Sequence, residues 1–276
     1  MTGFFDFEVF KKDWLVVFIG QDDSEIVVWN DPAVLKKALA KFDCLVGFNN
    51  YFYDDLILTG IMSGYNNYEV WKLSNAIVNG GNIENKIKNI ARKLPSLDTK
   101  QELAPSLSLK EIEANLGMNI VETPISFNLV RALTDDEFDE VVKYCRHDVE
   151  TTKKLFLLRK DYFESKFDIC KEFKLDKLDV RKTRANLASK VLKCSKDRLP
   201  AGVLENADKG LHPKTGEDDG NPANGSENNG FSAGFDHSNE VCFEADSTHG
   251  HDNKEFREFF ERWKEAIADT ERCEKS

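Results

Sequence analysis

Phe4-Phe5-Asp6-Phe7-Glu8-Val9-Phe10 is an apolar run with two acids set into it, two residues apart. Alternate residues of a strand share a face, so Asp6 and Glu8 point one way while Phe5, Phe7 and Val9 point the other and can face a core. Side chains two apart on a strand are rooted about 6.5–7 Å from one another, close enough for both carboxylates to converge on one hard cation. Two buried carboxylates without a counter-charge are costly, so a cation belongs beside them. The plainer alternative for a lone Asp-x-Glu is a half-buried edge strand with two solvated acids. The rest of the chain has to decide between them.

Working outward, residues 3–10, 14–20 and 25–29 read as three short strands joined by polar turns at 11–13 and 21–24. Asp31-Pro32 opens a helix to about Lys41, with proline in its first turn. Phe42 to Phe48 reads as a buried strand, and Tyr53 to Ser63 as a helix carrying Ile57, Leu58 and Ile61 on one stripe. Residues 66–94 show no clear period, and Leu94 to Thr99 fits a further strand. Ser108-Leu109-Lys110-Glu111 is a capping-box pattern with Gly117 as a stop. Thr134 to Glu137 is a second box, opening a helix that runs past Asp148 to about Phe163. Helical stretches near 167–175 and 181–193 follow. A strand meander followed by alternating strands and helices predicts an α/β domain over residues 1–199, with a mixed central sheet flanked by helices.

The formal net charge is −11, but of 49 acids and 38 bases, 18 and 8 fall in residues 201–276, which leaves the first 200 residues at −1. A nearly neutral body argues against broad electrostatic coating of nucleic acid and for a local site. Residues 200–253 are rich in Gly, Asn, Asp and Ser without period and read as a disordered linker or tail. Residues 254–276 carry a helical stripe of Phe256, Phe259, Phe260, Trp263 and Ile267, an isolated amphipathic helix. His237, Cys242, His249, His251 and Cys273 match no zinc-ligand spacing. The six cysteines are scattered with no CxxC pair, which suggests free thiols in a reducing compartment. Nothing in the sequence approaches a membrane span or a secretory leader, so the expectation is a soluble intracellular protein.

Two further stretches bear on the opening pair. In Leu45-Val46-Gly47-Phe48-Asn49-Asn50-Tyr51-Phe52-Tyr53-Asp54 an apolar strand ends and a helix starts with an acid, the kind of strand end where α/β ligand sites gather. In Tyr144-Cys145-Arg146-His147-Asp148 the tyrosine and aspartate are four apart on a helix and share a face with Val141, Cys145, Thr152 and Leu155. That face points inward, and a buried acid needs a partner. Each stretch alone has a plain reading: Asp54 as an acid at a helix start, Asp148 as the partner of a nearby Lys or Arg. Helix phase distinguishes Asp54 from Asp55. Counting back from Ile57, Leu58 and Ile61 puts Asp54 at the head of the inward stripe and turns Asp55 toward water.

Taken in order, Asp6-Phe7-Glu8, Asn49 to Asp54 and Tyr144 to Asp148 resemble the three motifs of the DEDD 3′→5′ exonuclease superfamily in its tyrosine branch, notably the proofreading domains of bacteriophage DNA polymerases. The resemblance spans roughly residues 3–193. It implies an RNase H-like fold and a hydrolase that removes nucleotides from single-stranded DNA 3′ ends. It also implies two divalent cations, Mg²⁺ or Mn²⁺, held by Asp6, Glu8, Asp54 and Asp148, with Tyr144 orienting the attacking water. One cation would activate that water and the other stabilise the leaving oxygen. The catalytic set is then Asp6, Glu8, Asp54, Tyr144 and Asp148, and the substrate-binding set Phe7, Asn49, Asn50 and Tyr53. No polymerase motif follows, so a separate polymerase or other replication protein is the implied partner, in a bacterial or phage-infected cytoplasm.

Alternatives stay open. The same fold could trim RNA 3′ ends, since no residue reads the 2′-hydroxyl, or the chain could be a non-catalytic binding or scaffold module. Phe52 could stack on a terminal base or pack the helix start onto the sheet. Lys86, Lys88, Arg92 and Lys93 could track phosphates or form a solvated face. Asp98 is an additional acid at a strand end. His147 could stand in for the histidine of a sister branch, although Tyr144 fits the third motif better.

Overall fold

The computed structural model describes residues 1–194. The predicted linker and the 254–276 helix lie outside the described residues, as do His237, Cys242, His249, His251 and Cys273.

Strands β1 (Thr2–Val9), β2 (Trp14–Gly20) and β3 (Glu25–Trp29) form the expected meander. Helix α1 (Pro32–Leu39) follows, capped by Asp31, whose carboxylate accepts from the Ala33 and Val34 N–H groups. Then come β4 (Cys44–Gly47), α2 (Asp54–Met62), α3 (Asn67–Val78), α4 (Asn85–Ala91) and β5 (Ser96–Asp98). The last part holds α5 (Leu109–Asn115), α6 (Asp135–Leu158), α7 (Lys160–Glu172), a 3₁₀ turn at Lys177–Arg181 and α8 (Arg184–Val191). The five strands lie in the order β3-β2-β1-β4-β5. β1 runs antiparallel to β2 and parallel to β4, β2 antiparallel to β3, and β4 parallel to β5. Among the described residues the protein is therefore a mixed α/β domain with a five-stranded mixed sheet and eight α-helices.

The period-two reading of β1 sorts the two cores. Phe5, Phe7 and Val9 pack with Trp14, Val16 and Phe18 against apolar residues of α1 to α4 on one face of the sheet. Phe4 and Phe10 pack with Leu15, Val17 and Ile19 against Val141, Cys145 and Val149 of α6 and Phe163 of α7 on the other. Asp6 and Glu8, alternating with the first set, face α6. Covered on both faces, β2 is buried throughout.

Two expectations change. Residues 66–94, which show no period, hold α3 and α4, each burying only a narrow strip: Val70, Leu73 and Ser74 in α3, Ile87 and Ala91 in α4. The helix expected to run to Phe163 ends at Leu158, and α7 begins at Lys160. The guanidinium of Arg159 at that break donates to the carbonyl oxygens of Thr99 and Gln101, at 2.9 Å for the latter. This anchoring to the loop after β5 fixes where the chain turns, a contact across 58 and 60 residues that no local pattern encodes. Both capping boxes form as read, with the Ser108 and Thr134 hydroxyls accepting from the Glu111 and Glu137 N–H groups, and Gly117 takes the left-handed φ of 64°.

Candidate functional site

Three separate pieces of chain place acids on one another. β1 presents Asp6 and Glu8 toward α6, and α6 presents Asp148 back from its buried face. Helix α2 begins with Asp54, whose Oδ1 accepts from the Phe7 N–H at 3.1 Å. Glu8, Asp54 and Asp148 are buried and Asp6 is partly so. Burial, then the charge of Asp148, pushes the Asp6 carboxyl up to about 8. Burial, then Asp6, raises Glu8 well above the ordinary carboxylate range, with Asp148 and Asp54 adding to it. Burial and then Asp6 raise Asp54 as well. Asp148 is raised by burial and restrained by Lys110 and Tyr144. Asp148 and Asp6 make their neighbours harder to ionise, Asp54 does the same to Glu8, and Glu113 does so to Asp148, which is the signature of a group short of positive charge.

Lys110 supplies some of that charge. From α5 its ammonium reaches Asp148 Oδ1 at 2.5 Å and lies 4.8 Å from the centre of the Tyr144 ring. Tyr144 sits one helical turn before Asp148. Burial first, and then the Asp148 charge, raises its phenol far above the ordinary value, so it stays protonated and can donate. The Cys145 thiol contacts the Asp6 carbonyl oxygen at 3.3 Å and Oδ2 at 3.8 Å. Oxygens of Asp6 and Glu8 and the Cys145 sulfur lie within 4.8 Å of one another. Burial holds that thiol well above its usual value, and in the metal-free protein it donates to Asp6. The donors gathered here are mostly carboxylate oxygens, and such a set suits a hard divalent cation such as Mg²⁺ or Mn²⁺.

The loop between β4 and α2 is tightly built. Gly47 leaves room for Asn50: a Cβ at Gly47 would fall 2.6 Å from the Asn50 Cβ. Asn49 takes a left-handed φ of 61°, a conformation asparagine tolerates, and its N–H donates to Asp98 Oδ1 at 2.8 Å. Lys100 donates its N–H to the same oxygen. Burial lifts Asp98 to about 6 against the pull of those donors. Asp98 therefore holds the loop's shape.

Several expectations are corrected here. Asp55 is not in water: it is fully buried, and its carboxylate accepts from Asn50 Nδ2 at 3.1 Å, Ser96 Oγ at 2.6 Å and Arg181 Nη2 at 3.0 Å. Helix phase does not separate the two acids, because α2 is buried on all sides from Asp54 to Ile61 and has no solvent face to turn Asp55 toward. The Phe7 ring lies in the core, edge-on to Phe5 and tilted against Trp14; only its N–H serves the site. Asn50 is fully buried and holds Asp55. The Tyr53 hydroxyl pairs with Ser74 Oγ of α3 at 2.8 Å. Of the four residues expected to bind substrate, Phe7 packs the core, Asn50 and Tyr53 hold the loop in place, and Asn49 contributes its N–H to the same task. Phe52 is 67 % exposed, which removes the packing reading of its ring. Lys86, Arg92 and Lys93 are exposed on and beside α4. His147 faces Glu113, with Nε2 3.4 Å from Oε1.

Sequence reasoning missed Lys110, Glu113, Cys145 and Arg181 as site residues. Cys145 was legible in kind, sharing a helix face with Asp148. The other three reach the site from α5 and the 3₁₀ turn, and only packing brings them there.

The described part of the chain thus belongs to the class of mixed α/β domains with an acidic cluster at the centre of the sheet. No protein-family model and no curated protein matches it. Among solved structures it is similar to the family B DNA polymerase from the hyperthermophilic archaeon Pyrobaculum calidifontis, with a TM-score of 0.44 and 13% identity, over 70% of this chain and 28% of the polymerase. A score and identity that low do not establish a shared fold, and this chain spans less than a third of that protein's length.

Proposed function

We propose that this protein is a metal-dependent 3′→5′ exonuclease acting on single-stranded DNA 3′ ends, built on an RNase H-like fold. One observation carries the reading: Asp6 and Glu8 of β1, Asp54 at the start of α2 and Asp148 of α6 press on one another in one buried cluster, with Tyr144 a turn before Asp148. The strand order β3-β2-β1-β4-β5 with β2 antiparallel supports the fold assignment, and the three motifs in chain order support the activity.

Asp6, Glu8, Asp54 and Asp148 would hold Mg²⁺ or Mn²⁺. Bound there, such cations supply an activated water and charge stabilisation for the leaving 3′ oxygen. Tyr144, protonated and beside Asp148, positions that water by hydrogen bonding. The Phe7 N–H fixes the Asp54 carboxylate, and the Cys145 thiol fixes Asp6. Phe52, exposed two residues before Asp54, offers a ring on which the terminal base stacks. A separate polymerase or replication protein would provide the ends to be trimmed.

The test is end-labelled DNA and RNA oligomers incubated with Mg²⁺, Mn²⁺ or EDTA. Stepwise shortening of DNA from the 3′ end, stopped by EDTA and by Asp6→Ala, is the expected result. Preferential shortening of RNA moves the substrate to RNA, and shortening that survives Asp6→Ala overturns the mechanism.

A further inference from the structure

Lys110 stands between two carboxylates. Its ammonium lies 2.5 Å from Asp148 Oδ1 and 3.3 Å from Glu113 Oε1. Glu113 is completely buried, an unusual place for a glutamate. Its Oε1 accepts from Thr151 Oγ1 at 3.2 Å, yet its Oε2 is buried with no hydrogen-bond partner. A buried carboxylate oxygen left unpaired is costly, so a donor that can turn onto it finds a ready acceptor. Lys110 already touches the same carboxylate, and its side chain keeps 25% of its exposure, enough freedom to shift between the two acids.

We propose that Lys110 is a positioning residue with two berths: it serves as the counter-cation of Asp148 in the metal-free protein and passes to Glu113 when a divalent cation takes Asp148. The proposal rests on the metal-dependent reading of the acidic cluster. In the metal-free protein the lysine relieves part of the repulsion among Asp6, Glu8 and Asp148. Any metal must displace it, so Lys110 competes with the metal and Glu113 eases the competition by receiving the displaced ammonium. The shift breaks and forms hydrogen bonds only.

The measurement is Mn²⁺ affinity by calorimetry at fixed pH and without nucleic acid, on the full chain. Lys110→Met keeps an unbranched apolar side chain and removes the competitor; it should bind Mn²⁺ about tenfold more tightly, a factor worth about 1.4 kcal/mol. Glu113→Gln keeps the shape and removes the second berth; it should weaken binding about fivefold, and in the Lys110→Met background that effect should fall below about twofold, because the two residues act as one unit. Thermal unfolding checks that each variant is folded, and Lys110→Gln repeats the measurement should Lys110→Met not fold. Wild-type protein that binds no Mn²⁺, or binds it equally well after Asp6→Asn, overturns the metal reading itself. Binding that requires Asp6 but is unmoved by Lys110→Met, or an effect of Glu113→Gln that is equal with and without the lysine, overturns the two-berth proposal alone.

Discussion

Asp54 and Asp55 are chain neighbours, both buried, and they face different surroundings. Asp54 looks toward β1, where Asp6 and Glu8 already crowd, and accepts from the Phe7 N–H. Asp55 looks toward β5 and the 3₁₀ turn, where Ser96 and Arg181 donate to it, and Asn50 of the loop before α2 donates as well. Arg181 also donates to the Leu94 carbonyl oxygen and lies 4.1 Å over the Tyr51 ring. Burial raises both acids, yet Arg181 opposes the rise at Asp55 whereas Asp6 adds to it at Asp54. The difference teaches that burial alone does not mark a functional acid. A buried acid ringed by donors is held by the fold, whereas one ringed by other acids is left short of positive charge, the lack that the proposed metal would meet.

The largest expected effect tests the crowded side. Asp54→Asn, like Asp6→Ala, should slow DNA hydrolysis by on the order of 10³-fold or more while leaving the melting temperature unchanged or higher, since carboxylate repulsion is relieved. Full activity of Asp54→Asn would erase the distinction between the two aspartates. On the donor side, Arg181→Ala strands a fully buried carboxylate and should destabilise the fold by about 3–5 kcal/mol. Urea denaturation checks this, and a loss under about 1 kcal/mol would show that Arg181 is not what settles Asp55.

Smaller effects sharpen the contrast. Tyr144→Phe keeps the ring under Lys110 and removes the hydroxyl; it should lower the maximal rate about tenfold with oligomer affinity unchanged, and an unaltered rate would leave Tyr144 a packing residue. Phe52→Ala should change stability by no more than about 0.5 kcal/mol, because an exposed ring holds nothing in place, yet weaken binding of single-stranded DNA by about 1–3 kcal/mol. Fluorescence anisotropy with labelled oligomers reads the second part, and equal affinity would remove Phe52 from the substrate path.

Much of the site was legible because its signals are local. Asp6 and Glu8 share a face through the two-residue period of a strand. Tyr144 and Asp148 share one through the turn of a helix whose buried stripe is unambiguous. The helix start after Asn49 was equally plain, but the roles of the residues in that loop were not. Phe7, Asn50 and Tyr53 read as substrate contacts because they adjoin the motif acids, and packing uses them inward, as core, as a clamp on Asp55 and as a tie to Ser74.

The sequence by itself determined the mixed α/β class, the strand pairing implied by the opening meander, the two capping boxes and three of the four pieces of chain that meet at the acids. Each depends on neighbours within a few residues, where backbone geometry dictates direction. Only the tertiary structure decided which cation meets which acid. Arg181 finds Asp55 across 126 residues and Lys110 finds Asp148 across 38. Both choices depend on long-range charge inside a packed interior, and in α2, buried on every side, no periodicity remained to say which way each aspartate would face.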